Sequence, residues 1–219
     1  MNTDRARPDL ARSDVYRLLA ACFYEPDREM LLEENLCANL AGLMEELSIP
    51  AARSCRRMEQ GLQENSREEL LVEYSSLFLN PFGAPAQPYG SVYLDKERQL
   101  MGDSTMQVRK IYAAAGVKQE TDGPPDHIAI ELEFMSFLGQ RIAQAIAGSD
   151  QEAVAEFTAI QACFFNTYLA SWAPLLGRAI QEHAELPLYR ALGDCLLGFI
   201  GAEQQRLRKS ADSPLHEPR

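Results

Sequence analysis

The sequence predicts an all-α fold, a single-domain bundle of about eight to ten helices. Apolar residues recur at i, i+3 and i+4 spacing along most of the 219 residues, whereas β-branched residues are thinly scattered. No segment alternates apolar and polar residues over more than a few positions, so strands are not predicted. A chain of this length can bury a substantial core without disulfides or a metal ion, and we expect one domain.

Proline, glycine and capping residues mark the helix boundaries in the first half of the chain. Pro26 follows the first predicted helix, and the second ends before Pro50. Ser66 and Glu69 form a capping-box pattern that opens the fourth helix, and Pro81 stops it. The four predicted helices cover residues 13–24, 28–47, 54–62 and 66–78.

The second half contains five further predicted helices. Asp103 or Ser104 is expected to cap the first of them, and Gly148 ends the second. A capping-box pattern at residues 149–152 opens the third, and Pro174 starts the fourth. The five helices cover residues 103–115, 126–148, 149–169, 174–183 and 188–207.

The longest irregular segment is residues 80–103, in which three prolines and three glycines alternate with Phe82, Tyr89 and Tyr93. A loop of this length in a compact domain is usually functional or disordered, and its aromatic residues favour packing over disorder. We therefore predict a functional loop. Tyr89 and Tyr93 flank Ser91 and could present two aromatic faces and a hydroxyl group to a ligand, or could simply pin the loop to the helices.

Polar segments with few apolar residues mark the limits of the domain and a connector within it. Residues 1–12 are expected to be a flexible N-terminus, residues 13–209 the helical domain, and residues 210–219 a mobile tail. Within the domain, residues 117–125 form a polar connector.

The most informative segment is the helix predicted to begin at Asp126. Two prolines precede Asp126, which is expected to accept hydrogen bonds from the first free amides of the helix. At about 100° per residue, Glu131 falls within the apolar stripe of this helix and Glu133 falls outside it. A carboxylate inside a core needs a partner, and His127, one turn earlier, is the nearest candidate. Asp126, His127 and Glu131 are thus candidate site residues, although each could also have a purely structural role.

Charge and hydropathy limit the classes of partner. With 21 basic and 32 acidic residues, the net charge of −11 disfavours nucleic-acid and anionic-membrane binding and suits a basic partner. The N-terminus contains no signal-type apolar core, and the chain has no apolar run of about 18 residues that could span a membrane. We expect a cytoplasmic protein without stable membrane insertion.

Motifs for common cofactor chemistry are missing from the sequence. The chain has no glycine-rich phosphate loop, and His127, His183 and His216 do not suggest a metal-ligand set. Its five cysteines include no Cys-x-x-Cys pair and are expected to be reduced core residues. Cys163, which precedes two phenylalanines, is expected in the core rather than as a nucleophile.

Four separated patterns together resemble the TorD/DmsD family of redox-enzyme maturation chaperones. They are Tyr74-x-x-Leu77-Phe78, Pro88-Tyr89-x-Ser91-x-Tyr93, Pro125-Asp126-His127 with Glu131-Leu132-x-Phe134-Met135, and the run from Phe164-Phe165 through Tyr168-Leu169 to Trp172 and Pro174. The resemblance covers roughly residues 13–200. Tyr168 departs from the pattern, because family members commonly carry histidine there.

The resemblance implies a TorD-like, cytoplasmic chaperone rather than an enzyme. Such proteins bind the twin-arginine signal peptide and the apo catalytic subunit of a molybdopterin oxidoreductase, assist cofactor insertion and delay export until folding is complete. Family members have also been associated with weak guanine-nucleotide binding and with monomers or domain-swapped dimers. On this hypothesis the leader-binding residues are Tyr89, Ser91, Tyr93, Asp126, His127 and Glu131. The acidic chain agrees, since a leader is a basic pair followed by an apolar segment.

Two alternatives remain open on the sequence. One is a nucleotide-dependent enzyme that uses His127 and Glu131 as an acid/base pair. The other is a regulatory helical adaptor whose groove takes an unrelated amphipathic helix.

Overall fold

The predicted all-α fold is confirmed. The computed structural model describes residues 2–80, 82–95, 100–117 and 123–212, with side chains described between residues 6 and 209. Within these ranges the chain forms eleven α-helices and two π-helical turns. The α-helices are α1 (Asn2–Ala21), α2 (Arg28–Glu33), α3 (Leu36–Glu46), α4 (Ala52–Glu64), α5 (Arg67–Tyr74), α6 (Gly90–Leu94), α7 (Asp103–Ala114), α8 (Ile128–Gly148), α9 (Gln151–Phe164), α10 (Ala170–His183) and α11 (Pro187–Asp212). The π-helical turns are Ser75–Leu79 and Phe165–Leu169.

Helix α8 lies at the centre of the bundle, with α1 and α9 packed against it, while α11 packs against α10 and α4. The contact between α1 and α8 is close because the residues that meet there are small. A Cβ atom on Gly139 would lie 3.1 Å from the Ser13 Cβ atom. The buried Ser13 hydroxyl donates to the Ser136 carbonyl oxygen over 2.8 Å, so the two helices share a polar contact inside the core.

Both ends of the chain are more helical than the sequence predicts. Helix α1 begins at Asn2, well before residue 13, and Ala6 and Ala11 are buried in it. The predicted flexible N-terminus is therefore packed against the bundle through these small side chains. Helix α11 continues to Asp212 and so enters the predicted tail, whose residues 213–219 lie outside the described residues.

Two predicted helices have different boundaries in the structure. The helix predicted over 28–47 is split, because Asn35 adopts a left-handed conformation (φ 49°) between α2 and α3. Pro174 does not start a helix. It lies inside α10, which follows α9 without a break through the π-helical turn Phe165–Leu169.

The predicted caps have mixed outcomes. The capping box at Ser66 and Glu69 is confirmed, with both reciprocal hydrogen bonds present. The box predicted at residues 149–152 is wrong. Asp150 is the N-cap and accepts from the Ala153 amide, whereas Ser149 ends α8 in a left-handed conformation (φ 58°).

The segment predicted as a loop over 80–103 contains the short helix α6. The next helix, α7, is not capped by Asp103 or Ser104 as predicted, since Gly102 occupies its N-cap position. The Asp95 carboxylate, just after α6, accepts from the Ser104 amide (3.3 Å) and the Ser104 hydroxyl (3.0 Å) instead. Residues 96–99, and residues 118–122 of the predicted connector, lie outside the described residues.

All five cysteines are free thiols. Cys37, Cys55 and Cys195 are buried, and the Cys55 and Cys195 sulfur atoms lie 3.4 Å apart. Burial raises the pKa of Cys37 to about 12, so this thiol is protonated at neutral pH. Cys163 contradicts the prediction, since it is exposed on α9 although Phe164 and Phe165 beside it are fully buried.

A buried carboxylate connects the ends of the chain. Glu203 on α11 is 1% exposed and accepts from Arg12 Nε of α1 over 3.0 Å. Arg206 Nη2 donates to the other oxygen over 2.8 Å and also reaches the Gln161 side chain of α9. Two guanidinium groups thereby compensate one buried carboxylate, and three helices are joined at this point.

We predict that Glu203→Gln lowers the free energy of unfolding by roughly 2–4 kcal/mol, because it leaves Arg12 and Arg206 without their shared counter-charge. Urea denaturation measures this change. Glu45→Gln is the matched control, since Glu45 pairs with Arg56 at the surface and its loss should cost less than about 1 kcal/mol. Equal costs in the two variants would contradict a structural role for the Glu203 cluster.

Candidate functional site

The candidate site forms where the start of α6 meets the start of α8. The Gly90 amide donates to the Asp126 carbonyl oxygen over 2.8 Å, and the Ile128 amide donates to the Pro88 carbonyl oxygen over 2.9 Å. Tyr89 and His127 face each other as an isolated antiparallel bridge between these bonds. The backbone therefore brings the Pro88–Tyr93 pattern and the Asp126–Glu131 pattern together.

Asp126 is not the N-cap of α8, contrary to the prediction. His127 occupies that position, and its Nδ1 atom accepts from the Ala129 amide over 3.1 Å. The Asp126 carboxylate instead accepts from the Ser91 amide over 2.7 Å and is 1% exposed. Asp126 thus ties α6 to the chain just before α8, across a sequence separation of 35 residues.

His127 is a neutral, aromatic part of the site. Burial lowers its pKa to about 4, against the opposing effect of the Asp126 charge. Since Nδ1 accepts a hydrogen bond, the proton of the neutral ring lies on Nε2. The ring stacks on Tyr24 with centroids 6.1 Å apart, and Tyr89 contacts it edge-on at 5.2 Å.

Glu131 is fully buried, as its place in the apolar stripe predicts, but its partner is not His127. The Trp172 Nε1 atom on α10 donates to Glu131 Oε2 over 3.0 Å. Burial raises the pKa of Glu131 well above its ordinary value, and the indole donor only partly opposes this effect. Sequence reasoning included Trp172 in a motif but did not assign it to the site.

Tyr93 extends the site from Trp172 to the surface. Its ring stacks on the indole with centroids 5.5 Å apart and planes 21° apart. Tyr93 is half-buried and lines a half-open pocket of about 240 Å³ together with Ala84, Pro85, Gln87 and Val92. Tyr168, which departs from the family pattern, lies in the neighbouring π-helical turn and stacks on Phe164.

The six predicted site residues are brought together, but they differ in accessibility. Ser91, Asp126 and Glu131 are buried, whereas Tyr89, Tyr93 and His127 are half-buried. Within the described residues, each buried member keeps one oxygen without a hydrogen-bond partner, namely Ser91 Oγ, Asp126 Oδ1 and Glu131 Oε1. The half-buried aromatic residues thus form the accessible part of the site.

Tyr24 and Glu133 are two further members that sequence reasoning did not include. Tyr24, 40% exposed, stacks on His127 and donates from its hydroxyl to Glu133 Oε1 over 2.9 Å. Glu133 lies on the exposed side of α8, as its position outside the apolar stripe predicts. The signal available in the sequence was the position of Glu133 outside the apolar stripe of the helix that follows His127. We call Tyr24, Tyr89, His127 and Glu133 the aromatic–acidic face.

A family model described as nitrate reductase delta subunit matches residues 38–177, which include α6, the start of α8 and Trp172. The chain belongs to this family. In the part of the chain that the structure describes, none of the helices combines the length and the apolar character that a membrane span requires.

Named relatives confirm the resemblance to the TorD/DmsD family. The chain is 29% identical over 198 residues to the chaperone protein TorD of Aliivibrio salmonicida, covering 86% of this chain and 91% of that protein. It is 30% identical over 131 residues to the Tat proofreading chaperone DmsD of Salmonella typhi, covering 59% of this chain and 57% of that protein. A solved structure of a redox enzyme maturation protein from Archaeoglobus fulgidus shares the fold, with a TM-score of 0.50, 21% identity, and coverage of 92% of this chain and 94% of that one.

We predict that Asp126→Ala frees α6, because the buried Ser91 amide loses its acceptor, at a cost of about 1–3 kcal/mol. Hydrogen exchange across Gly90–Leu94 should accelerate, as mass spectrometry of the deuterated protein can measure. Asp126→Asn is the control, since an amide oxygen can still accept from Ser91. Equal protection of α6 in the wild type and Asp126→Ala would contradict this role.

We predict that His127 makes the protein less stable as pH falls from about 6.5 to about 4. Its pKa in the folded state is below its ordinary value, so in this interval the unfolded state binds more protons. His127→Asn removes this titration yet keeps a capping acceptor. The difference in unfolding free energy between variant and wild type should shift in favour of the variant on acidification, as urea denaturation at several pH values can measure. A difference independent of pH would contradict the burial of a neutral imidazole.

Proposed function

We propose that this protein is a maturation chaperone that binds the twin-arginine leader and the apo catalytic subunit of a molybdopterin oxidoreductase. The observation that carries this proposal is the aromatic–acidic face, which belongs to a chain whose named relatives are chaperones. Binding of this kind would assist cofactor insertion and delay export until the client is folded. The proposal locates the protein in the cytoplasm, where precursors with leaders are made.

The aromatic–acidic face suits an arginine side chain. A guanidinium group can stack on the exposed Tyr24 ring while it pairs with the Glu133 carboxylate. The Tyr24 hydroxyl occupies only part of the acceptor capacity of Glu133, so the carboxylate can still take further donors. His127 is neutral at pH 7 and does not repel a basic peptide.

Ser91, Asp126 and Glu131 enter this proposal differently from the three half-buried predicted contacts. Asp126 bonds the Ser91 amide, and Glu131 accepts from the indole under Tyr93, so both carboxylates support α6 from below. A leader arginine would reach them only after α6 moves. We propose that Tyr89, Tyr93 and His127 provide the contacts, and that Ser91, Asp126 and Glu131 hold them in place.

We propose a non-catalytic role without a required cofactor. An acid/base pair needs two groups that can exchange protons with a substrate. Glu131 is buried against Trp172, and the His127 Nδ1 atom accepts from the Ala129 amide. Among the described residues, neither guanine-nucleotide binding nor an unrelated amphipathic helix has a specific observation in its favour.

The proposal predicts that the protein binds a synthetic leader from a molybdoenzyme encoded beside its gene. Isothermal titration should give saturable binding with a Kd near the micromolar range, which corresponds to a binding free energy of about −8 kcal/mol. A peptide with both arginines replaced by glutamine should bind more weakly. No leader binding combined with GTP turnover well above background would favour the nucleotide-dependent enzyme instead.

Glu133→Gln is the variant that locates the arginine contact. It should weaken leader binding about five- to tenfold and flatten its salt dependence, because an exposed charge pair is lost. Glu152→Gln on α9 is the matched control, an exposed glutamate on a helix that contributes nothing to the aromatic–acidic face. Equal affinity and equal salt dependence in both variants would exclude Glu133 as the contact.

A further inference from the structure

Trp172, the single tryptophan of the chain, is fully buried although it lies directly behind the surface pocket on α6. Three contacts fix its indole ring. Its Nε1 atom donates to Glu131, its face stacks on Tyr93, and its edge lies against Gly90, where a Cβ atom would be 3.0 Å from Nε1. The hydrogen bond selects one orientation of the ring, because the indole has only one donor.

Helix α6 depends on this ring for its position. A five-residue helix has no stability of its own in water, so its orientation is set by the groups that it contacts. Asp126 holds its first turn through the Ser91 amide, and Trp172 supports it under Gly90 and Tyr93. A Cβ atom at position 90 would also lie 3.2 Å from Glu131 Oε1, so a larger residue there would require the indole or the carboxylate to shift.

The pocket walled by Tyr93 differs from the aromatic–acidic face in its chemistry. Among the described residues, Ala84, Pro85, Val92 and the Tyr93 ring provide an apolar lining, Gln87 adds one amide, and none of these side chains is charged. A cavity of about 150 Å³ accommodates benzene. A pocket of about 240 Å³ therefore has room for one large apolar side chain, and none of its described lining residues carries a negative charge that could pair with an arginine.

We propose that this pocket takes an apolar side chain from the hydrophobic segment of the leader, and that Trp172 is the positioning residue that sets its Tyr93 wall. Glu131 acts through Trp172 by fixing the indole. This inference rests on the proposed function, and it assigns the apolar part of the leader to a place separate from the basic pair.

The test combines leader titration with fluorescence of the single tryptophan. Leader binding to the wild type should change Trp172 emission. Tyr93→Ala should shift that emission to the red without peptide and abolish the change on binding, while Tyr93→Phe, which keeps the ring, should preserve both signals. A merely structural tryptophan would show emission that is insensitive to the leader, and that result would overturn the positioning role.

Affinity variants complete the test. Trp172→Phe should weaken leader binding about tenfold, and Glu131→Gln, which retains an acceptor for the indole, should lose less affinity than Glu131→Leu. Phe199→Leu is the matched control for core disruption, since Phe199 is a buried aromatic residue that packs against Tyr16 of α1 and should leave affinity unchanged. A leader whose large apolar residues are replaced by serine should bind wild type and Trp172→Phe equally weakly.

The outcomes separate this inference from the proposed function. A wild-type protein that binds no leader overturns the proposed function and the ligand assigned to the pocket. Wild-type binding that Trp172→Phe leaves unchanged overturns the positioning role alone. Wild-type binding that is insensitive to serine replacement in the apolar segment, but sensitive to loss of the arginines, overturns the assignment of the pocket alone.

Discussion

The docking of α6 onto α8 and α10 through two buried carboxylates is the constraint on which the candidate site depends. Asp126 accepts from the Ser91 amide at the start of α6, and Glu131 accepts from the indole that supports Tyr93. A carboxylate in a core costs free energy unless it is hydrogen-bonded or protonated. Each of the two carboxylates beneath α6 therefore needs a donor, and the hydrogen bonds that they accept fix the position of this short helix.

The two carboxylates solve this problem differently. Burial raises the pKa of Glu131, so the protonated form is favoured and the desolvation cost falls. The Asp126 carboxylate instead accepts a hydrogen bond from the Ser91 backbone amide of α6. Glu133, by contrast, is exposed and accepts a hydrogen bond from the Tyr24 hydroxyl, whose ring stacks on His127. The site therefore separates groups that fix its shape from groups that can meet a ligand.

Local pattern predicted the helices and the inward direction of Glu131, because both follow from the spacing of apolar residues along one helix. It failed where the deciding partner is distant in sequence. Aspartate is a residue type typical of N-caps, but the Asp126 carboxylate accepts from the Ser91 amide, which lies 35 residues away in sequence. His127 caps α8 instead. Helix α6 was missed for the same reason, since tertiary contacts with Trp172 stabilise it. Cys163 was misplaced because it is exposed on α9, whereas Phe164 at the end of α9 and Phe165 in the following π-helical turn are buried.

The π-helical turn Phe165–Leu169 sets the rotational phase of α10 relative to α9. A wide turn of this kind acts as a one-residue insertion in an otherwise continuous helix. Each residue of an α-helix turns the chain by about 100°, so regularising this turn would rotate everything after it by that angle. The indole of Trp172 would then leave Glu131 and face another part of the bundle. The π-helical turn therefore allows α9 and α10 to pack against the core of the bundle while Trp172 on α10 faces α6.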